Sequence, residues 1–268
     1  MGGEPVGAAA LTGRLSLPRR RPATDAGDAE RLAFDRTGGP LVVACGLAGG
    51  AGTSTLAYQL ARSAARHSAA PVLLAELGAG GGLAAIAETA SPLCLRELAR
   101  AADEGRAPAQ PFVELAGGLR LVASADRAEH VPLPAGALER LLEDARAAHG
   151  LVVVDAGQLA PGEVERLLAL ADHVLLCLPA TPAGLRRAQL DLDGGLLRRS
   201  GGVRAALVCS AIQPAAGAQV RELRRLAEGR VERLLLVPHL PRLARGQLDE
   251  GAFDSTLTAL ATMLRGRR

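Results

Sequence analysis

Between two apolar segments the chain reads Gly46-Leu47-Ala48-Gly49-Gly50-Ala51-Gly52-Thr53-Ser54-Thr55. The run Leu41–Cys45 before it has the look of a strand, and a helical pattern opens at about Thr53. Glycines let a backbone adopt positive φ and come close to a ligand. A helix N-terminus adds unpaired N–H groups and the positive end of a dipole. Together they form a cradle for phosphate, to which the hydroxyls of Thr53, Ser54 and Thr55 can add donors or a Mg²⁺ ligand. A tight strand-to-helix turn with no ligand would also use glycine. The number of glycines and hydroxyls at this one junction weighs against that simpler reading.

Two ligands compete for such a loop. The first is a nucleotide phosphate held by G-x-x-x-x-G-K-[ST]: Gly52 is the last glycine, Thr53 stands in the lysine's place, and Ser54 takes the Mg²⁺ hydroxyl position. The second is a dinucleotide held by G-x-x-x-G-x-G: Gly46, Gly50 and Gly52 fit, and Glu76 would hold a ribose hydroxyl. Hydride transfer of the short-chain dehydrogenase kind needs a Tyr-x-x-x-Lys pair. The single tyrosine is Tyr58, just after the loop, and the chain has no lysine, since all 31 basic residues are arginine. That chemistry is excluded.

The elements that must position the loop are legible from hydrophobic patterning. From Pro40 onward, apolar runs at Leu41–Cys45, Val72–Ala75, Leu119–Ala123, Leu151–Val154, His173–Leu178, Ala205–Cys209 and Leu234–Val237 alternate with helical patterns. Those patterns cover Thr55–Arg66, Leu93–Ala101, Ala135–His149, Glu163–Ala171, Pro182–Arg199, Ala218–Glu228 and Ser255–Leu264. Near-continuous Val/Leu strands separated by helices indicate an α/β fold: a mostly parallel, doubly wound sheet of about seven strands. Ligands in such sheets lie at the carboxyl ends of the strands. Residues 1–38, rich in Gly, Ala, Pro and Arg, read as a disordered tail with a short helix near Asp28 to Phe34, and 39–268 as one domain.

Taken with four later segments, the loop resembles the ParA/MinD family of P-loop ATPases, and within it the pilus-associated CpaE/TadZ branch. The family loop K-G-G-x-G-K-[ST]-[ST] aligns with Ala48-Gly49-Gly50-Ala51-Gly52-Thr53-Ser54-Thr55. A D-x-D strand end aligns with Glu76-Leu77-Gly78, and the Walker B strand with Leu151-Val152-Val153-Val154-Asp155. Ala171-Asp172 before a strand, and Pro179 to Leu185-Arg186 after it, match the next family segment. Val237-Pro238-His239-Leu240-Pro241-Arg242-Leu243-Ala244 resembles the family's I-P-x-D-P-R-L-A, which lies beside the adenine. The resemblance implies a nucleotide site of Gly49, Gly50, Ala51, Gly52, Thr53, Ser54, Thr55 and Pro238, taking ATP or ADP, with Ser54 and Asp155 at Mg²⁺.

The departures concern charge. Thr53 replaces the loop lysine, Ala48 the lysine that reaches a dimer partner's nucleotide, and Gly78 the carboxylate that positions water; about Ser210 replaces the base-reading asparagine. No lysine can come from elsewhere in the chain or from an identical partner, and no arginine lies between Arg36 and Arg62. Phosphoryl transfer depends on charge fixed around the γ-phosphate. Losing one such group costs about 10²- to 10³-fold in rate. The resemblance therefore implies a degenerate Walker A motif, weak or absent nucleotide, and a pseudo-ATPase with no catalytic residue. Such a protein would be a dimer that localises or regulates a Tad-type pilus, a secretion apparatus or a division complex through protein partners. A slow ATPase switch and a DNA-binding partition protein stand as alternatives.

Arg221, Arg224, Arg225, Arg230 and Arg233 could hold DNA phosphates, although interleaved Glu222, Glu228 and Glu232 favour a solvated, salt-bridged face. Leu257, Leu260, Ala261 and Leu264 share a helical face with arginines after it; packing on the sheet is favoured over a membrane-targeting role. Cys45, Cys94, Cys177 and Cys209 lack metal or redox spacing and read as buried thiols. No apolar run reaches a membrane span, and Arg14 and Arg19 to Arg21 interrupt any signal peptide. A cytoplasmic protein is expected, with recruitment to the inner face of the membrane or a cell pole left open by the resemblance.

Overall fold

The apolar runs form one sheet. In the computed structural model the described residues are 33–78, 81–125, 133–157, 161–199, 201, 203–212, 217–238 and 253–265. The strands are β1 (Leu41–Gly46), β2 (Val72–Glu76), β3 (Val113–Leu115), β4 (Leu119–Val122), β5 (Leu151–Gly157), β6 (His173–Pro179), β7 (Arg204–Ile212) and β8 (Arg233–Pro238). The helices are α1 (Thr53–His67), α2 (Gly82–Ala87), α3 (Leu95–Asp103), α4 (Ala135–Ala148), α5 (Pro161–Leu170), α6 (Pro182–Asp193), α7 (Leu196–Arg199), α8 (Gly217–Ala227) and α9 (Asp254–Arg265).

The strand order is β3-β4-β2-β5-β1-β6-β7-β8. β1 lies between β5 and β6, parallel to both, and every other neighbouring pair is parallel except β3 with β4. Alternation along each strand feeds two cores. Val42, Ala44, Leu74 and Val153 face α1 and α9, whose Leu56, Leu60, Leu257, Leu260 and Leu264 pack there. Leu41, Val43, Leu73 and Val154 face the other side, against Leu98 of α3, Leu138 of α4, Leu167 of α5, Leu185 of α6 and Leu223 of α8. The sheet is thus covered on both faces, as the unbroken apolar runs require.

Three departures from the sequence reading have physical reasons. The sheet has eight strands rather than about seven, because β3 is a three-residue antiparallel edge strand, Val-Glu-Leu, too short and too exposed to show a pattern. Helix α2 follows a glycine run that reads as a loop, and its six residues bury only Leu83 and Ala84. The long helix expected over Pro182–Arg199 breaks at Gly194-Gly195, where Gly195 sits at φ +79°, a backbone that favours glycine. Upstream, residues 1–32 of the expected tail lie outside the described residues. From Phe34 on the chain is tied down: Phe34 N–H donates to Ser68 Oγ at 2.8 Å, Ala70 N–H to Phe34 O at 3.1 Å, and Gly38 N–H to Arg146 O at 2.8 Å.

Candidate functional site

The glycine loop joins the central strand β1 to α1 at the carboxyl edge of the sheet. Gly50 and Gly52 take φ of +71° and +75°, and a Cβ on Gly50 would meet nothing within 4 Å. Gly52 is the N-cap of α1 and supplies no side-chain cap, so the first-turn N–H groups depend on outside acceptors. Gly49, Gly50 and Gly52 are exposed, Ser54 and Thr55 half-buried, and Ala51 and Thr53 buried. This is the shape of a phosphate cradle.

The loop is braced from beneath by its neighbours. Leu47 N–H donates to Cys177 O at 2.8 Å, across from β6. Ser210, at the carboxyl end of β7, donates its hydroxyl to Ala51 O at 2.7 Å. The position aligned with a base-reading asparagine is therefore a strut of the loop. Thr53, in the lysine's place, is buried over the strand ends, and its Oγ1 would lie 2.9 Å from a Cβ on Gly46. Its hydroxyl is thus turned down toward the strand ends. Burial pushes the Cys177 thiol above its ordinary range, and Cys45 beside it up to about 12. All four cysteines are free and buried.

Two carboxylates stand next to the loop. Glu76 ends β2 and is the register partner of Asp155 on β5, so the two side chains emerge from neighbouring strands on one face. Asp155 is 1% exposed and Glu76 5%. The Ser54 hydroxyl lies beside the Asp155 carboxylate and favours its charged form, and Gly157 N–H donates to Asp155 Oδ1 at 3.0 Å. Gly82 N–H, at the start of α2, donates to Glu76 Oε1 at 3.0 Å. Glu76 Oε2 is buried with no hydrogen-bond partner. Burial above all, and then the charge of Asp155, push Glu76 up to about 7; burial also raises Asp155, against the Ser54 hydroxyl and the bond from Gly157. The carboxylate turned in toward Gly82 is not one offered to a ribose hydroxyl.

Pro238 ends β8, the far edge strand, three strands from β1 and so about 14 Å away in the sheet plane. The rest of its segment, 239–244, lies outside the described residues. The structure thus brings the loop, Ser54 and Asp155 together and leaves Pro238 apart from them. It adds Glu76, Gly82 and Ser210, which the sequence showed only as single residues: their meeting depends on strand order, which periodicity does not carry. Of the other candidates, Arg221, Arg224 and Arg225 are exposed on α8, Arg230 pairs with Asp193 at 2.8 Å, and Glu232 pairs with Arg204. The Leu257 face of α9 is buried in the core. Among the described residues, no helix is long and apolar enough to cross a membrane.

A phosphate-shaped loop between the central strand and its helix, with a carboxylate at the end of the adjacent strand, defines a P-loop nucleotide fold of the ParA/MinD type. Solved structures agree. An ATP complex of a McdA variant from Cyanothece matches with a TM-score of 0.69 at 17% identity, over 87% of this chain and 98% of that one. MinD in the MinC:MinD cell division complex of Aquifex aeolicus matches with a TM-score of 0.66 at 19% identity, over 85% and 96%. A ParA family ATPase from Chlorobium tepidum matches with a TM-score of 0.65 at 15% identity, over 83% and 97%. No protein-family model and no curated protein matches the chain.

Proposed function

We propose that this chain is a ParA/MinD-like protein with a degenerate nucleotide site, acting through protein contacts as a localisation or regulatory factor for a larger assembly. The observation that carries the reading is Thr53. In the place of the charge that would neutralise β- and γ-phosphates stands a small, 7% exposed hydroxyl, turned in beside Gly46 at the end of β1. The cradle keeps its backbone donors and helix dipole, which suffice for weak binding of ATP or ADP. It lacks the fixed charge that phosphoryl transfer requires. Ser54 and Asp155 are the residues that would hold Mg²⁺ with a bound nucleotide; the ion would screen phosphate charge there. The assembly we assign is a Tad-type pilus, a secretion apparatus or a division complex, and the working unit a homodimer. The solved neighbours include one in complex with a cell-division partner and one with ATP, which supports protein partners in general and a loop that can take nucleotide.

One observation favours a second reading, a slow ATP-driven switch: Ser54 and Asp155, the pair that would hold Mg²⁺ here, stand next to each other. Steady-state turnover with Mg²⁺–ATP separates the two. No hydrolysis above background is expected from the wild type. Hydrolysis that vanishes in Asp155→Ala would overturn the pseudo-ATPase. Calorimetry with ATP and ADP on wild type and Thr53→Lys then reads occupancy, with tighter binding expected in the variant.

A further inference from the structure

We propose that the groove between α6 and α8 docks a short acidic segment of a protein partner, with one aliphatic side chain of that segment seated in the groove. This rests on the reading of the chain as one that acts through protein contacts, and it adds the surface and the chemistry of the partner.

The two helices pack on the same face of the sheet, α6 against β6 and α8 against β8. Between them lies a cavity of about 220 Å³, lined by Leu185 and Gln189 of α6, Glu222, Arg225 and Leu226 of α8, and Arg230. Leu185 and Leu226 are buried and make an apolar floor, while the other four side chains are exposed. The Arg230–Asp193 pair, at 2.8 Å, ties the turn after α8 to the end of α6 and so holds the two walls together. Sites that take a whole small molecule run to about 300–1,000 Å³. The smaller volume here suits one aliphatic side chain.

The rim is cationic, and much of its charge is unpaired. Asp191 and Asp193 pair with Arg187 and Arg230. Arg186, Arg221, Arg224 and Arg225 are exposed and make no ion pair among the described residues. Glu222 and Glu228 are the acids that remain there, so the salt-bridged face expected from their interleaving is not formed on α8. Arg224 and Arg225 lie in the last turn of α8, where a cation complements the helix dipole. Arg186 and Arg221 lie outside such a turn and have no such role. Beyond Gln189, Leu190 is 63% exposed and stands one turn from Arg186, so the rim offers an apolar contact as well as charge.

A cationic rim around an apolar notch complements a segment that carries carboxylates and a Leu, Ile or Val. Duplex DNA fits less well. Its phosphates have no use for a leucine floor, and they bring no donor for Glu222 on the wall. A peptide brings main-chain N–H groups, which Glu222 and the Gln189 carbonyl can accept.

The test uses the full chain and a random dodecapeptide library displayed on phage. Enriched sequences should carry Asp or Glu on either side of a Leu, Ile or Val. The strongest of these, fluorescein-labelled and followed by anisotropy, should bind the wild type and weaken by roughly 10-fold in Arg225→Glu. Gln189→Trp, whose ring fills the groove, should weaken it similarly. Arg140→Glu, the same reversal on α4, should change affinity by no more than about 2-fold. All three positions are exposed, and far-UV circular dichroism should be unchanged. No enriched peptide, enriched peptides without acids, or an affinity that both groove variants leave unchanged would overturn the proposal. A short DNA duplex that binds more tightly than the peptide and is lost in Arg225→Glu would overturn it in favour of a nucleic-acid surface. A wild-type dimer that Arg225→Glu converts to monomer would overturn it in favour of an interface between copies. ATP turnover dependent on Asp155 would instead overturn the pseudo-ATPase and leave the groove result standing, so the two failures are distinguishable.

Discussion

Glu76 is a carboxylic acid whose chemistry is strongly altered by its surroundings. Its carboxyl is held at about 7, against an ordinary 4.5, chiefly by burial and then by Asp155. An acid raised on folding binds its proton more tightly in the native state than in the unfolded chain. Stability is therefore highest below pH 4.5 on this account, falls as pH rises through the window from 4.5 to about 7, and is level above it. The whole effect is on the order of 3 kcal/mol. Urea unfolding in EDTA at pH 5 and pH 8 should show the wild type losing stability at the higher pH and Glu76→Gln losing distinctly less. Equal losses would sink this account. Ser210 carries a smaller effect at the same scale. Its bond to Ala51 O braces the loop, and Ser210→Ala should cost about 1 kcal/mol in the same assay. From the sequence Ser210 was visible only as the position where an asparagine was missing. The loop glycines, Ser54 and Asp155 were legible because each sits at a marked place on an element. The Glu76–Asp155 contact was not, because two residues 79 positions apart meet only through the pairing of β2 with β5.

Among the elements, those buried on both faces announce themselves. β1, β5 and β6 are unbroken runs of Leu, Val, Ala and Cys for most of their length, and their observed bounds lie within three residues of the patterned ones. β3 and α2 gave no such signal: an exposed Glu interrupts one, and glycines crowd the start of the other. Helix α9 shows how an amphipathic pattern can be read two ways. A face of Leu257, Leu260, Ala261 and Leu264 suits a membrane surface or a sheet, and here each is buried against the sheet with Phe253 and Met263 beside them. Leu260, wholly buried, should cost about 2–5 kcal/mol on truncation to alanine. Thr262, exposed on the same helix, should cost at most about 0.5 kcal/mol on the same change. Denaturant midpoints of the two variants check this, and equal shifts would mean that α9 does not rest on the sheet.

At the scale of the whole molecule, the fold and the charges at its site obey different constraints. The sheet needs only apolar residues of about the right size, so it tolerates wide substitution, and neighbours with similar folds share under a fifth of their residues with this chain. Catalysis needs particular charges within about an ångström of their places, and nothing in the packing replaces a lysine. The same difference bears on association. A nucleotide that bridges two copies needs groups from each to reach the other's phosphates, and on the proposed reading the position that would reach across is Ala48 in both. On the proposed reading, a homodimer of this protein would rest on surface contacts that are present with or without ligand. Sedimentation velocity at fixed protein concentration should therefore give the same distribution with buffer, Mg²⁺–ADP and Mg²⁺–ATP. The double variant Ala48→Lys, Thr53→Lys should gain a larger species with Mg²⁺–ATP. A wild-type chain that dimerises only with Mg²⁺–ATP would show that the cradle works as a switch without its lysines, and the pseudo-ATPase reading would give way to the switch.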